Sequence, residues 1–198
     1  MNHRPTTPPV RELDTYLIAL PARERAARLR LGSLGFRRVI TMPPRVMGYP
    51  EGVVHSYLDA FTAGVAAGSY PFNIVEDDLW PTDAWQPDYA PPPGADCVGL
   101  TLSWAVNTRG PLRHEAVDED YARVYDMLGI IFHCVCTEDY ARAVVAAAEA
   151  SAARDPGCPI DCLMQTLQPQ FRFLVRRRPL FYQGPESNPN APATGILL

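Results

Sequence analysis

VRELDTYLIAL, residues 10–20, is the first apolar run of the chain, and its reading sets the fold class. Val10, Leu13, Leu17 and Leu20 recur at helical spacing, which predicts a helix. Pro21 then suits the first position of a second helix, PARERAARLRL, closed by Gly32. FRRVITM (36–42) reads as a strand, and the segment from Pro50 to Gly68 as a long helix with Val53, Val54, Tyr57, Leu58, Phe61 and Val65 on one stripe. FNIV and CVGLTLSWAV (97–106) read as strands. Asp118, Glu119 and Asp120 resemble the acidic first turn of a helix that ends at Gly129. IIFHCVC is a strand, Thr137 caps an Ala-rich helix, PIDCLMQTL is a short helix, and QFRFLVRRRPLFYQ is the last strand. The order αα–β–α–β–loop–β–α–β–α–α–β predicts an α+β fold: one domain over residues 10–183, with a mixed or antiparallel sheet packed against helices. The Pro-rich ends, 1–9 and 184–198, are expected to be disordered.

Composition limits the function. Apolar residues make up 47% of the 198 and charged residues 20%, as in ordinary globular domains. All 18 basic side chains are arginine, which a GC-rich bacterial or viral genome would produce. The net charge of −4 disfavours general binding to nucleic acid or anionic membrane. No apolar run reaches the roughly 20 residues of a membrane span, and the polar start MNHRPTTPPVREL is not a secretory signal. Five cysteines, an odd number, fit reduced thiols in a cytoplasmic compartment, or the host cytosol or nucleus for a viral protein.

Four of those cysteines form the sharpest chemical pattern. On a strand, Cys134 and Cys136 share a face while His133 points the other way. On a helix, Cys158 and Cys162 can share a face. The two pairs could meet as a tetrahedral structural zinc site, although the spacings C-x-C and C-x3-C are not those of zinc knuckles. The plain alternative is small core thiols. No other cofactor is indicated.

Two further patterns carry chemistry. The loop spanning residues 76–96 alternates Trp80, Trp85 and Tyr89 with prolines, which suits a stiff hydrophobic contact surface. Arg176, Arg177 and Arg178 end the last strand, where they could grip acidic groups or protect a sheet edge. Together they predict a non-enzymatic interaction or regulatory protein that binds a protein partner through the loop and an arginine-bearing edge strand. One alternative is an enzyme built on Cys134 or Cys136, or on a carboxylate centre drawn from Glu76, Asp77 and Asp78 or from His114, Glu115, Asp118 and Asp120. A third reading is a nucleic-acid-associated regulator using Arg23, Arg25, Arg28 and Arg30 with the triple arginine. No phosphate loop, dinucleotide fingerprint or nucleophile elbow is present.

Overall fold

The computed structural model describes residues 7–43, 45, 51–101, 111–154 and 158–184. The tails 1–6 and 185–198, and the second half of the predicted strand 97–106, lie outside the described residues.

The run from Val10 is not a helix. After one 3-10 turn, Val10–Glu12, it forms strand β1, Asp14–Ile18. Helix α1, Pro21–Ser33, follows, then β2, Arg38–Thr41; helix α2, Glu51–Ala67; and β3, Phe72–Glu76. β1 pairs in parallel with β2 on one side and β3 on the other. A parallel strand inside a sheet is covered on both faces and loses the polar alternation that marks a half-exposed strand. That is why its apolar residues mimic helical spacing. Thr15, Tyr16 and Ile18 favour the extended backbone. Tyr16 points into one core, and Leu17 into the core on the opposite face.

The rest of the chain extends this sheet. Strands β4 (Leu79–Pro81), β5 (Cys97–Gly99), β6 (His114–Ala116), β7 (Tyr121–Val124) and β8 (Phe132–Val135) precede helices α3 (Glu138–Ala152) and α4 (Ile160–Leu167). Strands β9 (Phe173–Arg176) and β10 (Phe181–Gln183) complete the described fold. The main sheet has eight strands in the order β2-β1-β3-β8-β5-β9-β7-β6, while β4 and β10 form a separate pair. The fold is therefore α+β with a mixed sheet, as expected. β8 and β7 run against the other strands of the sheet. The carboxyl ends of β1, β3, β5 and β9 consequently share one edge with the start of β8.

Two other expectations are corrected. Asp118–Asp120 is a hairpin turn between β6 and β7, not a helix start. The Asp118 carboxylate accepts from the amides of Asp120 and Tyr121, both at 2.8 Å. Such side-chain bonds let Asp favour turns as readily as helix caps. Similarly, QFRFLVRRRPLFYQ divides into β9 and β10, and β9 lies between β5 and β7 rather than at an edge.

Helices α2, α3 and α4 cover one face of the sheet; α1, β10 and the segment from Thr82 to Ala95 cover the other. α2 approaches β3 so closely at Gly64 that a Cβ there would collide with the Phe72 ring. Gly64→Ala should therefore destabilise the protein by about 2 kcal/mol, read as a lower midpoint in urea unfolding. An unchanged midpoint would contradict this packing.

Candidate functional site

The connectivity of the first three strands creates a crevice. From β1 the chain passes through α1 to β2, then returns through α2 to β3 on the other side of β1. The two helices lie on opposite faces. In open sheets, ligands bind outside the carboxyl ends of the strands where the winding reverses in this way. Here that place lies between Ala19–Leu20, after β1, and Glu76–Asp77–Asp78, at the end of β3.

Each of these three acids is held differently. Asp77 accepts from the Leu20 amide at 2.7 Å and pairs with Arg23 at 3.0 Å, so it clamps the entry to α1. Burial raises its pKa, against the pull of Leu20 and Arg23. Glu76 accepts from the Tyr57 hydroxyl at 2.6 Å, and its amide donates to the Ile131 carbonyl at 3.1 Å. Burial pushes its pKa up to about 8, with the neighbouring Asp78 charge adding to the shift. Asp78 is 2% exposed. Its Oδ2 accepts from Gln183 at 3.0 Å and its carbonyl from the Gly184 amide at 2.7 Å, but its buried Oδ1 has no partner among the described residues.

A fourth carboxylate comes from far along the chain. Asp161, in the first turn of α4, accepts from the Gly129 amide at 3.1 Å. Gly129 lies two residues before Ile131, which receives the Glu76 amide, so Asp161 stands at the same edge. Burial raises its pKa too, and its charge is felt at Glu76 and Tyr57. Beside it, His133 lies buried under Tyr57 and Phe173, its pKa pushed down to about 4 by burial. In sequence Asp161 is only an acid at a helix start, with nothing to connect it with residues 76–78.

The other expected site residues are not gathered here. Cys134 belongs to the α1-side core, and Cys136 packs against it. Cys158 and Cys162 flank Ile160 of α4, which packs on the opposite face. The sheet thus separates the two pairs, and no group of three or more His, Cys, Asp or Glu suited to a metal occurs among the described residues. The zinc expectation is corrected on that ground. The Cys134 thiol is pushed up by its Cys136 neighbour and by burial, the opposite of an activated nucleophile. His114, Glu115, Asp118 and Asp120 lie exposed on the β6–β7 hairpin, at the far side of the sheet from β3.

The aromatic loop folds back on the protein. Trp85 stacks on Phe36 at 5.7 Å and lies 4.8 Å from Phe181. Trp80 lies beneath the Arg30 guanidinium at 3.9 Å. Tyr89 is buried, and its hydroxyl accepts from Tyr121 at 3.0 Å. The arginines are engaged as well. Arg176 pairs with Asp120 and Arg178 with Asp83, both at 2.9 Å, and Arg177 reaches the Asp118 carbonyl at 3.4 Å. In α1, Arg28 bonds to β2 and Arg30 to the carbonyls of Asp77 and Leu79.

No protein-family model matches the chain, and no curated protein matches it. Its likeness is to solved structures. A glycosyltransferase involved in the glycosylation of the major capsid of PBCV-1 aligns with a TM-score of 0.55 and 8% identity, over 86% of this chain and 92% of that one. An apo UDP-glucose pyrophosphorylase aligns at 0.51 and 12%, over 87% and 74%. A UDP-glucose pyrophosphorylase complexed with UDP-glucose aligns at 0.51 and 10%, over 86% and 91%. The likeness is one of fold. It overturns the expectation of a non-enzymatic interaction or regulatory protein, because the architecture is shared with proteins that are enzymes by name.

Two outcomes follow from this geometry. Trp85→Ala should cost roughly 2 kcal/mol of stability, because a half-buried aromatic stacked against the second core is lost; an unchanged melting temperature would contradict that packing. Glu76 binds its proton more tightly folded than unfolded. Without divalent cations, stability should therefore fall as pH rises from about 4.5 to about 8, where the unfolded chain has released that proton and the folded one has not. Glu76→Gln, which keeps an acceptor for Tyr57, should flatten that fall in urea midpoints across the range.

Proposed function

We propose that this protein is a glycosyltransferase that takes its sugar from a nucleoside diphosphate sugar. The observation that carries the reading is the acidic edge at the winding reversal, with the buried Asp78 Oδ1 left without a partner among the described residues. Carboxylates packed together out of water call for a cation or for protons. Magnesium-type ions are often held by one or two carboxylates and completed by substrate phosphates. Asp78, whose buried Oδ1 has no partner among the described residues, would be the residue to hold such an ion, which would supply the charge that stabilises a departing diphosphate. Arg23 and the Asp77 clamp fix the first turn of α1 beside the crevice, where a helix amino end favours phosphate.

The chemistry of the edge favours glycosyl transfer over nucleotidyl transfer. Joining a sugar phosphate to a nucleoside triphosphate brings two highly charged phosphate esters together, which suits a cationic site. Here four carboxylates face one edge, and the Arg23 guanidinium is paired with Asp77. A single diphosphate leaving group is the smaller electrostatic demand.

Calorimetric titration with UDP-glucose and magnesium tests the proposal. The wild type should bind, and Asp78→Asn should weaken binding at least tenfold while the urea midpoint stays within the range of folded protein. Absence of binding by the wild type to UDP-, GDP- and dTDP-linked hexoses alike would remove this function.

A further inference from the structure

The two outer edges of the main sheet carry opposite charge. We propose that copies of this chain associate head to tail, the basic β2 edge of one against the acidic β6–β7 hairpin of the next. The partner is thus a second copy, and the contact stands whether or not the protein transfers sugars.

The backbone makes both edges available. β2 and β6 are the outermost strands of the eight. Among the described residues β2 pairs only with β1, and β6 only with β7. An outer strand leaves a row of amides and carbonyls that another strand can join. The reversals of direction on entering and leaving β8 cancel, and so do those at β7, so β6 runs in the same direction as β2. A neighbouring copy in the same orientation therefore sets its β2 parallel to β6. The sheet then continues from one copy to the next with its helices on the same faces.

Side chains decide which edge meets which. Arg37 and Arg38 stand at the β2 edge. Arg28 of α1 reaches over the strand to the Val39 carbonyl at 3.2 Å and the Thr41 hydroxyl at 2.8 Å. Arg25 lies three residues before Arg28, on the same flank of the helix. Asp14 neutralises Arg38 at 2.7 Å, whereas Arg25, Arg28 and Arg37 have no ion pair among the described residues. The far edge is the reverse. Glu115, Asp118, Glu119 and Asp120 lie exposed on the β6–β7 hairpin. Asp120 is paired with Arg176. Glu115 accepts only from the Tyr125 hydroxyl, at 2.9 Å, and the Asp118 carboxylate only from the turn amides. Glu119 has no partner among the described residues, so all three of these charges stay unneutralised there.

Two β2 edges brought together would set arginine against arginine, and two hairpins would set carboxylate against carboxylate. Pairing β2 with β6 joins unlike charges instead, and guanidinium forks match carboxylates well. Each edge also holds an exposed large apolar side chain, Ile40 at 43% on β2 and Val117 at 40% just past β6. The contact joins two different surfaces, so it adds copies in a row rather than closing as a symmetric pair. Strands of four and three residues bury little area, which places the association among the weak ones.

Sedimentation velocity on the full chain, with a thiol reductant to exclude disulfide-linked species, tests the proposal. At low ionic strength the mean mass should rise from about 10 µM to about 500 µM protein. Raising the salt from about 0.05 M to about 0.5 M should weaken association about tenfold. Arg37→Glu and Glu115→Arg both change exposed side chains, so each variant should keep the wild-type urea midpoint. Each alone should stay monomeric where the wild type associates, and the double variant, with both charges exchanged, should associate again. A wild type that stays monomeric throughout would overturn the proposal and leave the basic edge to a foreign acidic segment. Association that ignores salt would overturn it too, as would association lost in only one of the single variants or not regained in the double.

Discussion

The parallel pairing of β1 with β3, fastened by Asp77, is the constraint on which the rest of this structure depends. Two parallel strands side by side need a crossover, and this chain makes it by way of α1, β2 and α2. Asp77 then ties the end of β3 to the start of α1 through the Leu20 amide and Arg23. That tie fixes the crevice at the winding reversal. It also places the flanking Glu76 and Asp78 at the edge, one on the α2 side against Tyr57 and the other against Gln183 and Gly184.

A cluster of carboxylates at such a place is electrostatically costly. Burial raises the pKa of Glu76, Asp77 and Asp161 together. The fold accepts that cost because the surrounding packing over-determines it. Tyr57 is anchored in the α2 core. Asp161 is held by an α4 whose Ile160, Met164 and Leu167 are buried in the same core. These acids are thus carried by strand ends and a helix start, where the backbone is held by the sheet and by the packing of α4.

The second face does different work. The Trp/Pro segment, α1 and β10 close a second core around Phe36, Phe132 and Phe181. The prolines stiffen a cover that Trp85 and Tyr89 pin down, and the arginines of β9 and its following turn tie to acids on neighbouring loops. Residue types that dominate interfaces between proteins here build an interface within one. Aromatic side chains bury large areas in either setting, so their presence in a sequence does not say which surface they meet.

By itself the sequence determined most of the local structure. The stripe of α2, the Thr137 cap of α3, the proline before α4 and the alternation of His133 and Cys134 all report contacts within one element, and each is seen in the structure. The acidic run at 76–78 could be named from sequence as an alternative carboxylate centre, yet solvation was the plainer explanation of it. Tertiary structure decided three things. Burial on both faces turned the helix-like run from Val10 into β1. A cross-strand turn made a hairpin of Asp118–Asp120. The sheet order brought Asp161 to Glu76 while setting Cys134 and Cys158 on opposite faces. Each of these depends on which distant segment lies alongside, and that is fixed by the packing of the whole sheet rather than by the spacing of neighbours along the chain.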